Sequence, residues 1–147
     1  MKAILVDDEH NNLENLRLLL AKYCPEVQVL ATATTISHAL EHFRAHQPEL
    51  IFLDIEMPGG NGFELLDALE GYNCEVIFVT AFDHYSLRAI KYSALDYLLK
   101  PLDIADLQAA VHKARERLQT RSFQQQIDVL MSHLGQNPRA ARIALPS

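Results

Sequence analysis

The sequence has no uninterrupted apolar run near the roughly 18 to 20 residues that a membrane-spanning helix requires, which excludes a span of that kind. Its opening, MKAILVDDEH, offers one lysine and a short apolar stretch at residues 3–6 before acid begins. That is too short for the apolar region of a secretory signal, so a cytoplasmic protein is expected. Cysteine is scarce. Cys24 and Cys74 show no metal-ligand spacing and read as two free thiols in a reducing compartment. Internal repeats and low-complexity tracts are missing. Positive charge is short as well, with 13 Lys+Arg against 19 Asp+Glu and a net charge of −6. Residues 1–112 hold 7 basic and 17 acidic side chains, and a surface of that sign repels a nucleic-acid duplex. Residues 113–147 reverse the balance, with 6 basic and 2 acidic, which reads first as a solvated helix face. With 49% hydrophobic and 22% charged residues over 147 positions, wholesale disorder is excluded and one compact domain with a tail is expected.

What is present is an alternation of two periods. Residues 3–6, 27–33, 50–53, 76–79 and 97–99 form short apolar runs, as strands buried on both faces do. Between them, apolar residues return every three or four positions, as on one face of a helix. These sets are Leu13, Leu16, Leu20 and Tyr23, then Ile36, Ala39, Leu40 and Phe43, then Phe63, Leu65, Leu66 and Leu69. A short segment over 85–92 and a last set from Leu107 to Leu118 complete them. Cys24-Pro25 and Pro48 close the first two helices, and Gly71 the third. Thr34 or Thr35 and Asp103 are expected N-caps. Met57-Pro58-Gly59-Gly60-Asn61-Gly62 is the densest turn signal, and its glycines allow a tight turn. Five strands alternating with five helices predict an α/β, doubly wound, parallel-sheet domain of three layers.

The last helix carries a phase jump. Leu107, Val111, Ala114 and Leu118 step by four, three and four. Phe123, Ile127, Leu130 and Leu134 repeat that pattern after a step of five. The spacing predicts a kinked long helix or two helices hinged over 120–122, ending over 135–138. The second stripe has no core of its own and is expected to pack on another chain or a further domain.

The chemistry gathers at strand ends. Asp7 and Asp8 follow the first strand, Asp54 the third, Thr80 the fourth and Lys100 the fifth. Ligands of doubly wound sheets bind outside those carboxyl ends. Taken singly, the aspartates read as caps or turn residues; the whole set in order reads as a site. Three carboxylates brought together repel, and a hard divalent cation such as Mg2+ relieves that repulsion. Mg2+, a carboxylate nucleophile, a lysine and a hydroxyl donor suit phosphoryl transfer.

Four stretches carry a resemblance. Leu5-Val6-Asp7-Asp8-Glu9, Phe52-Leu53-Asp54-Ile55-Glu56-Met57-Pro58, Val79-Thr80-Ala81 and Leu99-Lys100-Pro101 make the chain similar to the receiver domain of two-component response regulators over residues 1–120. The resemblance implies a flavodoxin-like strand order 2-1-3-4-5 and a signalling switch rather than an enzyme of external substrates. Asp54 would be the phosphoacceptor, served by a sensor histidine kinase. Asp7, Asp8, Asp54 and the backbone carbonyl of Glu56 would hold Mg2+. Thr80 and Lys100 would contact the phosphoryl group, Lys100-Pro101 would be cis, and Tyr97 would be the switch aromatic. Phe82, two residues past Thr80, would rim the pocket and slow the access of water.

A narrower resemblance lies in Thr80-Ala81-Phe82-Asp83 and in Ala94-Leu95-Asp96-Tyr97-Leu98-Leu99-Lys100-Pro101, which are similar to receivers joined to LytTR (LytR/AlgR-type) DNA-binding domains. It implies a helical linker over 121–141 and, over 142–147, the start of an output domain that is not in this sequence. DNA would be met only through that domain. A homodimer is expected through the fourth helix, fifth strand and last helix.

Three other readings stand beside this one. They are a standalone receiver, an interaction module without phosphorylation, and a Mg2+-dependent phosphohydrolase with an aspartyl nucleophile. Asp54-Ile55-Glu56 is faintly similar to haloacid-dehalogenase-type phosphatases, but Glu56 stands where those carry a second aspartate. His38, His42 and His46 share one helix face and read as solvated, since no acidic or cysteine ligand stands beside them. His10, just past the acidic cluster, is given no catalytic role. In the order 2-1-3-4-5, the strands beside Cys24 and Cys74 lie three spacings apart, roughly 14 Å, too far for a disulfide.

Overall fold

The first strand, β1 (Lys2–Val6), alternates its side chains between the two faces of the sheet, and both faces are covered. Ala3 and Leu5 join one core cluster and Ile4 and Val6 the other. The same division repeats in β3 (Leu50–Leu53) and β6 (Glu75–Thr80), where Phe52 and Ile77 face one way and Leu53 and Phe78 the other. Period-two alternation with apolar residues on both faces is what a sheet between two helical layers requires. With β2 (Gln28–Ala33) and β7 (Asp96–Leu99), these strands pair in parallel in the order β2-β1-β3-β6-β7. That is the 2-1-3-4-5 order expected above, because β4 (Glu56–Met57) and β5 (Gly60–Asn61) form a separate two-stranded hairpin. The sequence read that segment as a turn; pairs of two residues are too short to show a period.

This computed structural model describes residues 1–71 and 73–135. The expected output-domain start over 142–147 lies outside the described residues. The fold divides into two units, Met1–Ala114 and a second beginning at Arg115.

In the first unit, α1 (His10–Tyr23) and the opening of α5 (Ile104–Gly135) cover one face of the sheet through Leu13, Leu16, Leu20, Leu107, Ala110 and Val111. The other face is covered by α2 (Ile36–His46), α3 (Gly62–Ala68) and α4 (Ser86–Lys91) through Ala39, Phe43, Phe63, Leu65 and Ala89. Three helix starts are capped by side chains. Thr35 accepts from the His38 N–H at 3.1 Å, Asn61 from Glu64 at 3.1 Å and Asp103 from Asp106 at 3.0 Å. α5 runs as one helix through residues 120–122, where the sequence also allowed a hinge between two helices; Thr120, Arg121 and Ser122 include neither glycine nor proline.

Candidate functional site

Register places the site. Val6 pairs with Leu53, so Asp7 and Asp54 leave the sheet side by side. The Asp7 N–H donates to Ala33 C=O at 3.1 Å and the Asp54 N–H to Val6 C=O at 2.9 Å, which extends the ladder by one rung at each strand. Thr80 pairs with Leu99, and the Lys100 N–H donates to Thr80 C=O at 2.8 Å. Lys100 therefore emerges at the same edge, and the Lys100-Pro101 peptide is cis. Parallel pairing of four consecutive neighbours is what brings residues 93 positions apart into contact.

The side chains form a compact charged cluster. Lys100 Nζ lies 2.6 Å from Asp7 Oδ2 and 3.0 Å from Asp54 Oδ2. The other oxygens of these carboxylates are held by main chain: Asp7 Oδ1 accepts from Glu9 N–H at 3.0 Å, and Asp54 Oδ1 from Ile55 N–H at 2.7 Å. Asn12 Nδ2 also donates to Asp7 Oδ1, at 3.4 Å. Asp7 and Asp54 are buried and Asp8 half-buried. Burial, followed by the charge of Asp7, pushes the Asp8 carboxyl above its ordinary pKa. Burial alone would lower the Lys100 pKa; the hydrogen bonds to Asp7 and Asp54 outweigh it, and the net shift is upward.

Oxygen atoms of Asp7, Asp8 and Asp54 lie within 4.8 Å of one another, and no other trio of acidic, histidine or cysteine side chains comes so close among the described residues. Three carboxylate oxygens gathered around a gap are a donor set for a hard divalent cation, and Lys100 is the cation that pairs with two of them here. The donor set therefore fits Mg2+.

Thr80 is fully buried, and its hydroxyl oxygen accepts from the Phe82 N–H at 3.4 Å. The half-buried Tyr97 packs its ring 6.0 Å from that of Phe78 and donates its hydroxyl to the Phe82 carbonyl. Burial raises the Tyr97 hydroxyl pKa. Thr80 and Tyr97 thus meet on the two main-chain groups of one residue, while Phe82 as a whole is 38% exposed. The exposed Glu56 side chain turns to Tyr85, whose hydroxyl donates to Oε1 at 2.8 Å. Gly62 fits where nothing larger does: a Cβ there would stand 2.6 Å from the Asp54 carbonyl oxygen and 3.0 Å from Leu53 Cγ. A cavity of about 570 Å³ adjoins the cluster, sharing Asp7 and Lys100 with it and extending along Asn12, Asn15, Leu16 and Leu19 of α1.

Sequence reasoning missed Asn12, the Glu56–Tyr85 contact and the close approach at Gly62. The glycine run was visible; the two side-chain contacts left no local signal. The histidine row is partly exposed, with the His42 and His46 rings 6.0 Å apart. Neither Cys24 nor Cys74 is in a disulfide, and burial pushes the Cys24 thiol up.

The fold and the pocket together define a doubly wound domain with an acidic, lysine-bridged site at the carboxyl edge of its sheet. Residues 3–112 match the family model of the response regulator receiver domain, and the chain belongs to that family. It is similar to a response regulatory protein of Vibrio cholerae, 40% identical over 114 residues that make up 77% of this chain and 48% of that protein. It is also similar to the sensory transduction protein LytT of Bacillus anthracis, 33% identical over 123 residues, or 82% of this chain and 50% of LytT. Among solved structures, the REC domain of AraT, a response regulator from Geobacillus stearothermophilus, aligns with a TM-score of 0.74 at 30% identity, covering 82% of this chain and 97% of that one. The chain spans about half the length of the curated relatives it matches.

Proposed function

We propose that this receiver accepts a phosphoryl group on Asp54 from a sensor histidine kinase, with Mg2+, and thereby switches an output. The observation that carries this is the placement of the Asp54 carboxylate, 3.0 Å from Lys100 Nζ and within 4.8 Å of the Asp7 and Asp8 oxygens. An Asp54 oxygen bonds to phosphorus as the bond from phosphorus to the kinase histidine nitrogen breaks, and the nitrogen keeps the electron pair. Lys100 stabilises the charge spread over the phosphoryl oxygens, and the Thr80 hydroxyl donates to one of them. Asp7, Asp8, Asp54 and the Glu56 carbonyl would hold Mg2+, which when bound neutralises charge on the transferring group. In this reading the domain catalyses only its own phosphorylation and dephosphorylation.

Phosphorylation draws the Thr80 hydroxyl from the Phe82 N–H toward the phosphoryl group, and the change passes through Phe82 to Tyr97. The surface that responds is formed by α4, β7 and α5 of the first unit. Leu87, Ile90 and Leu99 stand 77%, 70% and 48% exposed there, which suits a homodimer through that face. The output is proposed to be LytTR-type DNA binding and transcription control, carried by chain beyond this sequence. The likeness to LytT and the half-length coverage of it support this. The reading places the protein in the cytoplasm with its kinase.

Intact mass after incubation with a small phosphodonor and Mg2+ tests the proposal. One added phosphoryl group in the wild type, missing in Asp54→Asn and without Mg2+, is expected. No adduct, together with no stable fluoroberyllate complex, overturns it.

A further inference from the structure

The second unit carries an apolar stripe that the receiver reading does not use. Phe123 and Leu130 are 63% and 56% exposed, and Ile127 and Leu134 are half-buried. Counted in heptads, Phe123 and Leu130 fall at d, and Ile127 and Leu134 at a. The charged residues between 119 and 134 apart from histidine are Arg121 and Asp128, and both fall at b, away from that seam. Asp128 is engaged on the outer side, accepting from Gln124 Nε2 at 2.9 Å. The positions that flank the seam toward a partner, e and g, are Gln119, Gln124, Gln126, Met131 and His133. In a parallel pair of identical helices, Gln119 would meet Gln124 and Gln126 would meet Met131, so copies bring no like charges together. A β-branched residue at a (Ile127) followed by leucine at d (Leu130) favours two parallel strands. A partner helix laid on this seam would cover the apolar side chains that α5 leaves exposed there.

From this arrangement we infer that residues 120–134 form a short parallel coiled-coil seam with a second copy of this chain. It goes beyond the phosphorylation reading and does not depend on Asp54. Two heptads make a weak seam, so the association is concentration-dependent. The e and g positions do not select a different partner by charge, which is what favours self-pairing over a charged partner helix.

Sedimentation of the full 147-residue chain over a rising concentration series, without phosphodonor, is the first test. The mass is expected to climb toward twice the monomer. Leu130→Glu should hold it at the monomer, while Leu87→Glu, on the α4 face, should leave it climbing. A monomer at all concentrations overturns the inference and leaves the phosphorylation reading standing. A dimer lost in Leu87→Glu but kept in Leu130→Glu overturns it equally. A second measurement fixes orientation. In a Cys74→Ser background, Ile127→Cys should oxidise to a disulfide-linked dimer and Asp128→Cys should not; equal linking at both positions overturns the parallel seam.

Discussion

The ammonium of Lys100 lies 3.0 Å from the carboxylate of Asp54, in the position where charge would gather if a phosphoryl group were joined to that oxygen. The same nitrogen, 2.6 Å from Asp7, joins the two buried carboxylates in this structure. Lys100→Met should abolish phosphorylation of Asp54 in the intact-mass assay. It should also cost about 2 kcal/mol of stability without metal, because two buried carboxylates lose a charged partner. Denaturant unfolding in the absence of Mg2+ checks the second part. The Lys100 pKa is raised, so its stabilisation is present at neutral pH and is lost as pH climbs through the raised value. A wild-type minus Lys100→Met stability difference that stays constant up to strongly alkaline pH would count against the pairing.

Asp8 has the opposite sense. Its folded carboxyl binds a proton more tightly than an exposed one, so stability falls as pH rises from the ordinary carboxylate value through the raised one, and the cost persists at neutral pH. Asp8→Asn should therefore raise the metal-free melting temperature at pH 7 by a few degrees. The same variant should lose the wild type's stabilisation by millimolar Mg2+. A melting temperature below wild type without metal would refute the electrostatic account.

Gly62 is set by distance rather than by backbone conformation. In Gly62→Ala the new methyl would meet the Asp54 carbonyl oxygen and Leu53 Cγ, main chain and buried core that cannot both yield. A loss of about 1–3 kcal/mol is expected on unfolding in urea. Phosphorylation should slow in the fraction that stays folded, since the Asp54 backbone must shift. Gly59, at φ +81°, has open space and should tolerate alanine sterically, losing only through backbone strain.

Tyr85 donates to Glu56, and that hydrogen bond, more than burial, raises the Tyr85 hydroxyl pKa. Spectrophotometric titration near 295 nm follows the chain's five tyrosines. In Glu56→Gln, one of them should ionise at lower pH than in wild type, and Tyr85→Phe should remove that component. Superimposable curves for wild type and Glu56→Gln would mean that the contact does not persist in solution.

The Phe82 ring lies beside those of His84 and Tyr85, at 5.8 and 6.4 Å between centroids. Once Asp54 is loaded, Phe82→Ala should shorten the life of the acyl phosphate several-fold by admitting water. Hydrolysis no faster than wild type would remove Phe82 from this role.

Much of the fold was readable because burial on both faces leaves a simple pattern. The run over 50–53 coincides with β3, and Thr35 caps α2 as its position before Ile36 suggested. The two-residue strands of the 56–61 hairpin were not readable, since two residues show no period. The candidate site was readable in outline because its members sit at or just past the last residues of strands, which the end of each apolar run marks. Its internal wiring was not. Nothing near Asp7 names Asn12, and nothing near Glu56 names Tyr85, 29 positions away.

Residue order alone carries the alternation of strands and helices, the acidic and basic residues at strand ends, and the second apolar stripe on the last helix. These depend on which residue follows which, and local periodicity records that. Tertiary structure alone decided that Val6 stands level with Leu53 and Thr80 with Leu99, and so that Lys100 reaches both Asp7 and Asp54. Strand register is a cooperative outcome of packing both faces at once: a slip of one residue would turn every side chain of a strand to the wrong layer.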